Sequence, residues 1–393
     1  MSSTRNIPGV YRQEVVLSPG PELTTGTAGF VGFADSADEE TTRPRIIALR
    51  RWDEFAARVK SAPGSYLAAA VAGYFQNGGR RCYVACAGLN LDDSDALLEA
   101  LKSLAPVTDI DLVAIPDALT FYNPGAANQG VALDQLQFAL LQHCERNPGR
   151  MAILDAWPAE TEAVTEQRQR ITAGISEPVN GALYYPWIKT DAGRLVPPCG
   201  HVAGIYARSD GRAGVFKAPA NEEILGALDL GILANKAGSG KGAHVPVVPD
   251  QEALNPQGVN CLRAFPGRGI RVWGARTLSR DPDWRYINVR RLFLTLQRWV
   301  DLKMSWVSFE PNTPVLWIRI TREIDAYLME LWKAGALAGE TVEQAFFLKC
   351  DGETNPPEAR EAGQVITEIG LAPARPAEFI VVRIIQHTGV APQ

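Results

Sequence analysis

From about residue 92 the chain alternates strands and helices so regularly that few folds remain open to it. Helical periodicity over 93–104 precedes the apolar run DIDLVAIPD (109–117). Helix 131–146 leads to RMAILDAWP (150–158), and helix 160–173 leads to GALYYPWI (181–188). Strands separated by helices of that length predict right-handed βαβ units and a parallel sheet. The alternation ends in LVPPCGHVAG, SDGRAGVFKAPAN and KAGSGKGAHVPVVPD, whose Gly and Pro content marks loops.

A second constraint is a pair of long helices within 284–350. Val289, Leu292, Phe293, Leu296, Trp299 and Val300 recur at helical spacing, with most of the basic residues off that stripe. After the corner FEPNTP, Thr313 is placed as an N-cap and Pro314 at the first helical position, where its missing N–H costs nothing. Leu316, Ile320, Ile324, Tyr327 and Leu331 share one face of the second helix, and Gly335 stands where a left-handed C-cap residue belongs. Strands AFFLKC (345–350), QVITEIG (364–370) and EFIVVRIIQ (378–386) follow.

Upstream, NCLRAFPGRGIRVWGARTLS (260–279) returns to strands, as do IIAL (46–49) and RCYVACAG (81–88). Ser65 caps a helix that carries Leu67, Val71, Tyr74 and Phe75 on one face and stops at Asn77-Gly78-Gly79. Near the N-terminus an alternating run from Val10 to Leu17 is bracketed by Pro8-Gly9 and Pro19-Gly20-Pro21. With no local partner, that run is either disordered or added to another sheet edge.

The fold expected is mixed, α/β and α+β. Residues 1–24 form an extended arm, 25–91 and 260–377 together an inner α+β domain, 92–259 an inserted β/α domain, and 378–393 a terminal strand and arm. A chain of 393 residues suits two or three domains. A net charge of −5 argues against a dedicated nucleic-acid binder. No window reaches the roughly 20 apolar residues of a membrane span, so no direct membrane insertion is expected. MSSTRNIPGVYRQEV has no apolar h-region, so synthesis and assembly in the bacterial cytoplasm are expected, with the particle released or part of a virion. Cys82, Cys86, Cys144, Cys199, Cys261 and Cys350 are scattered, mostly in apolar runs, which favours buried, reduced thiols.

The motifs of catalysis are missing or only apparent. AGSGKGAH (237–244) has Asn235 where a P-loop needs Gly, and Gly242 where it needs Ser or Thr after Lys241. Cys82 and Cys86 share one face of a strand, too far apart for easy joint ligation, and His143, His201, His244 and His387 form no metal pair. There is no G-x-S-x-G elbow. Asp109, Asp111, Asp117 and Asp155 lie at strand ends, where α/β active sites form but where caps and turns are the commoner role. No cofactor, no metal and no enzyme activity are expected. Between 263 and 303 ten basic residues face three acids, either a solvated face with ion pairs or a surface for an acidic partner.

The flanks carry a resemblance. PGVYRQEV, TAGFVGFA and SYLAAAVAGYFQNGGRRCYV at the N-terminal side are joined by GIRVWGARTLS, WRYINVRRL, FEPNTPVLW, LWKAGALAGET, AFFLKCD and PAEFIVVRI at the other. In this order the blocks are similar to the sheath proteins of contractile phage tails and of phage-tail-like contractile injection systems. The resemblance implies a structural subunit of hexameric rings stacked helically around an inner tube, which contracts to drive that tube through a target envelope. It implies an injection system first and a phage tail as the alternative. A hydrolase using the β/α middle, or a nucleotide binder using Lys241, is the competing class.

The inserted domain would be subtilisin-like in fold and non-catalytic, and the larger relatives' extra outer domains are missing. Implied partners are further copies of the chain, an inner tube protein, baseplate and tail-terminator or cap proteins, and a sheath paralogue where one exists. Arms that add strands to neighbours would include Ile7, Pro8, Gly9, Val10, Tyr11 and Val15, and Phe379, Ile380, Val381, Val382, Arg383 and Ile384. The tube-facing surface is expected among Arg290, Arg291, Arg298 and Lys303, or in the loop 349–363 with Lys349, Glu358 and Arg360.

Overall fold

A computed structural model describes residues 23–36, 45–122, 131–234 and 243–378. Strands β1 (Ala28–Gly32), β2 (Ala34–Ser36) and β3 (Arg45–Leu49) precede helix α1 (Trp52–Arg58). Next come β4 (Val59–Ser61), α2 (Leu67–Gln76), β5 (Cys82–Cys86), α3 (Ser94–Ser103) and β6 (Leu112–Ala114). Helix α4 (Val131–Arg146), β7 (Met151–Asp155), α5 (Thr161–Thr172) and β8 (Gly181–Tyr185) continue the alternation. A smaller antiparallel sheet orders as β10–β9–β11–β12, from β9 (Trp187–Thr190), β10 (Leu195–Val196), β11 (Ala227–Ala234) and β12 (Ala243–Pro246), with α6 (Cys199–Ala213) between β10 and β11. Short α7 (Gln251–Leu254), then β13 (Val259–Phe265) and β14 (Gly269–Trp273), lead to α8 (Ile287–Lys303) and α9 (Pro314–Lys333). Last are α10 (Val342–Ala345), β15 (Phe346–Lys349), α11 (Pro357–Glu361) and β16 (Glu368–Leu371).

The expected parallel sheet is present and larger than its predicted segment. Eight strands run in the order β14–β13–β8–β7–β6–β1–β5–β3. Those from β13 to β5 are parallel, and antiparallel β14 and β3 close the two edges. CYVAC in β5, MAILD in β7 and GALYY in β8 are buried at every position, as a sheet covered on both faces requires. One face carries α2 and α6 through Phe30, Val84, Val71, Tyr74, Val202 and Ile205. The other carries α3, α4 and α5 through Val113, Leu97, Leu101, Leu136 and Val164.

β1 pairs in parallel with β5 on one side and β6 on the other, so 25–91 and 92–259 build one sheet. The crossover through α3 carries the chain over β1, which locks the two segments together. What stands apart is a C-terminal body. There α9 packs Leu316, Ile320, Ile324 and Leu328 against Leu292 and Leu296 of α8 and against the β15–β16 ladder. Helix α8 belongs to both bodies, because its Ile287 and Leu294 lie in the core of the large sheet.

The helix ends show how local chemistry sets this pair. Gly335, at φ +81°, ends α9 with its N–H on Trp332 O and the Ala336 N–H on Leu331 O, both 2.9 Å, the two bonds of a Schellman cap. Pro314 opens the helix as expected, but the Thr313 side chain makes no cap bond. The Thr313 carbonyl instead accepts from Leu316 and Trp317.

Candidate functional site

The first and last described segments, the roots at 23–27 and 374–378, are both fastened by one stretch, Arg276 to Arg298. On the N-terminal side the Asp111 carboxylate, at the start of β6, accepts from the N–H groups of Gly26 (3.0 Å) and Thr27 (2.7 Å). Arg291 of α8 donates to the same carboxylate at 3.0 Å and holds Asp210 of α6 with two bonds of 2.7 and 2.6 Å. Its guanidinium also stacks over Tyr206, 4.9 Å from the ring centre. Two turns on, Arg298 donates to the carbonyls of Thr24 and Asp109, each at 3.1 Å. Its stem fills the place a side chain on Gly149 would take. The Tyr74 hydroxyl lies 2.7 Å from Gly26 O. Beside this root opens a cavity of about 430 Å³, lined by Leu23, Thr24, Asp109, Arg150 and Arg298.

On the C-terminal side Arg276 binds Glu378 through both carboxylate oxygens, at 3.0 and 2.5 Å. Both side chains are largely buried, 11% and 15% exposed. Asn288, in the first turn of α8, spans two carbonyls, Phe216 O at 2.8 Å and Ala374 O at 3.1 Å. The Ala374 N–H bonds Ala336 O at 3.0 Å, which ties this root to the end of α9 as well.

Arg291 is a cation kept charged inside the protein. Burial works against it, but Asp210 and Asp111 outweigh that and hold the guanidinium above its ordinary range. Such a buried triad is worth little against a well-packed apolar set, yet breaking it leaves charge stranded. Its value here is placement, because it fixes α8, α6 and residues 26–27 in one geometry.

The other strand-end acids also bind backbone. Asp117 accepts from Phe33 N (2.6 Å), Ser65 Oγ (2.7 Å) and Tyr66 N (2.5 Å). Ser65 Oγ in turn accepts from Leu67 N at 3.0 Å, so the expected cap of α2 is a joint one. Asp155 accepts from Cys199 N at 2.8 Å, and burial pushes its carboxyl up to about 7. Asp109 pairs with Arg81 at 2.9 Å and accepts from the Tyr83 hydroxyl. Each acid is therefore occupied by a structural donor, and among the described residues no three His, Cys, Asp or Glu side chains are grouped to hold a metal. Also among these residues, no helix is long and apolar enough to cross a membrane. Five of the six cysteines are buried, and burial raises the Cys144 thiol to about 12.

The basic stretch divides differently from its expected use as an external face. Arg291 is 3% exposed, and the Arg298 side chain 9%, so both lie inside the folded chain. Arg290 is half-buried, bonded to Asn180 Oδ1 at 2.6 Å and lying over the Trp284 ring. Lys303 is half-buried. Lys349 pairs with Glu353 on the same hairpin, and Glu358 and Arg360 are exposed on α11. The arm residues Ile7–Tyr11, Val15 and Phe379–Ile384, and Lys241, lie outside the described residues. Sequence reasoning missed the roles of Thr24, Asp210, Asn288 and Glu378. The only available signal was the local excess of arginine, which needed carboxylate and carbonyl partners somewhere.

Comparison with known proteins converges on one family. The model of the phage tail sheath protein central domain matches residues 118–278, and that of the phage tail sheath C-terminal domain matches residues 279–387. The tail sheath protein of Vibrio phage KVP40 is 26% identical over 212 residues, 53% of this chain and 29% of that protein. Matches to the tail sheath protein of Salmonella phage ViI and a prophage sheath protein of Pseudomonas aeruginosa span 27% and 45% of those proteins, so the chain covers less than half the length of these relatives. Solved structures match from end to end. A chain of the anti-feeding prophage helical sheath in its contracted state is 31% identical, with TM-score 0.75, over 98% of this chain and 100% of that one. A chain of the PVC extracellular contractile injection system sheath complex, also contracted, is 29% identical, with TM-score 0.71, over 98% and 99%.

Proposed function

The chain belongs to the tail sheath protein family, and we propose that it is the repeating subunit of a contractile sheath, stacked as hexameric rings around an inner tube. The observation that carries this reading is the pair of fastened roots. Residues 23–27 and 374–378, which adjoin the two terminal segments in sequence, are fixed to one stretch, Arg276 to Arg298, so a load on either terminal segment would be delivered to α8. Since α8 contributes to both cores, that load is shared by the large sheet and the C-terminal body.

Terminal arms carrying Ile7–Val15 and Phe379–Ile384 would add strands to neighbouring copies, and the two-stranded β15–β16 sheet offers a site for such addition. Pro and Gly at 8–9 and 19–21 would let the bodies rotate while main-chain bonds persist. Contraction then follows as a two-state change passed from ring to ring after a baseplate trigger. The tube must be released during this change, and charge complementarity suits a releasable contact better than an apolar one. With Arg291 and Arg298 internal, the remaining candidates are Arg290, Lys303, Lys349, Glu358 and Arg360. Full-length coverage of the injection-system sheath chains, against partial coverage of the phage proteins, favours an injection system over a phage tail.

Sedimentation of the purified full chain tests the assembly directly. The reading expects fast-sedimenting polymers, and a chain that stays monomeric at every concentration and salt condition overturns it.

A further inference from the structure

Four arginines line one cleft of about 500 Å³ at the edge of the large sheet: Arg168 on α5, Arg276, Arg280 and Arg285, with Gln257 and Thr277 between them. The carboxylates of Glu378 and Glu177, beside this cleft, are both already engaged. Glu378 is held by Arg276. Glu177 accepts from Ser279 Oγ and from the Arg280 main-chain N–H at 2.9 Å. Arg168 is 6% exposed and spends its guanidinium on two carbonyls, Gln257 O at 2.9 Å and Leu278 O at 3.1 Å. The side chains of Arg280 and Arg285 are exposed and make no ion pair among the described residues. More guanidinium than carboxylate is therefore gathered in one concave place, on a protein of net charge −5. Burial and then the nearby Arg280 depress the Arg168 cation, with Glu177 acting against them.

The cleft's place in the topology says what would fill it. The Leu278 N–H bonds Gly181 O, and Glu177 precedes β8, so the arginines sit at the edge where the parallel strands begin. At the opposite edge, where β5 ends and the chain climbs to α3, Asp92, Asp93 and Asp95 are exposed. One domain thus presents a basic socket at one end and an acidic segment at the other, which is the arrangement of a head-to-tail contact, able to build a closed ring or an open stack according to its rotation.

We infer that the Arg168–Arg276–Arg280–Arg285 cleft receives the acidic segment Asp92–Asp95 of a second copy of this chain. This inference rests on the sheath reading and adds to it one specific contact between copies.

The test reverses charge on exposed side chains of the full chain. Arg280→Glu with Arg285→Glu should raise the critical concentration for polymerisation by about tenfold or more. Asp92→Lys with Asp95→Lys should do the same, with Asp93 left in place because it caps α3 through Ala96 N. All four changes in one chain should return polymerisation to near the starting level. Unfolding curves superimposable on the parent show that each variant folds, and neutral Arg280→Ala with Arg285→Ala serves if the reversed pair does not. Parent polymers with unaffected variants overturn the contact alone. Loss that the four-fold variant does not recover overturns the Asp92–Asp95 partner and points to another acidic surface, such as the tube. A parent chain that never polymerises overturns the sheath reading instead.

Discussion

Arg291 and Asp111 lie 180 positions apart in the chain and meet at 3.0 Å in the interior, where the same carboxylate holds the main chain of Gly26 and Thr27. The contact joins the helix shared by both bodies to residues 26–27, close to the N-terminal end of the described chain. It is a joint between structure and the direction in which force would enter.

Removing the cation should therefore be severe. Arg291→Met leaves Asp210 buried without a charged partner and Asp111 with only the more distant Arg298, 4.0 Å away, and a loss of about 3–5 kcal/mol is expected. Urea unfolding measures it. Replacing all three residues by apolar ones of similar volume should recover a large part of the loss, whereas a single-site effect under about 1 kcal/mol would contradict the buried-pair account.

The Arg276–Glu378 pair offers a different readout, because it secures an exit rather than a core. A double-mutant cycle with Arg276→Ala and Glu378→Ala should show a coupling of about 1–3 kcal/mol. Hydrogen exchange at 374–378 should accelerate in each single variant while the β5 and β7 amides stay protected. Equal acceleration everywhere would mean the pair supports global stability and not the root.

Much of the architecture was legible because local chemistry and tertiary role agree. The α8–α9 pair was readable from its apolar stripe, Pro314 and Gly335, and the β/α alternation predicted parallel strands. What could not be read were choices among distant partners. Nothing near β1 says that it sits between β5 and β6, so the sheet shared by 25–91 and 92–259 could not be read. Nothing around Arg291 names Asp111 or Asp210 as its partners, so an arginine off the apolar stripe looked like surface. Thr313 has the right chemistry for a cap, yet its side chain makes no such bond. Charge excess was visible along the sequence, but burial, which decides whether an arginine is a joint or a face, was not.

Close contact between α2 and α6 gives a third expectation. A side chain on Gly200 would collide with the Ala70 carbonyl, and one on Gly204 with the Tyr74 carbonyl, so the helices meet backbone to backbone. Gly200→Val should cost about 3 kcal/mol or more by overpacking that neither helix can relieve. Thermal melting checks it, and a change in melting temperature within error would show that the helices can separate cheaply.

Acid should weaken the fold through His201. Its ring is 2% exposed against Gly73, its Nδ1 has no partner, and burial lowers it from 6.5 to about 4. Since the folded value is depressed, the contribution is fully present above 6.5 and is lost as pH falls through about 4. Between pH 7 and the low end of that window the parent should lose on the order of 3 kcal/mol more than His201→Gln. Parallel pH–stability curves for the two proteins would remove His201 from the account.

The central claim is that this chain's product is an assembly joined through its ends. Cryo-electron microscopy of the expressed full chain, beside a form lacking residues 1–20, tests it most directly. The account predicts stacked six-membered rings for the full chain and folded, dispersed subunits for the shortened one. Identical polymers from both, or no six-fold rings from either, would contradict it.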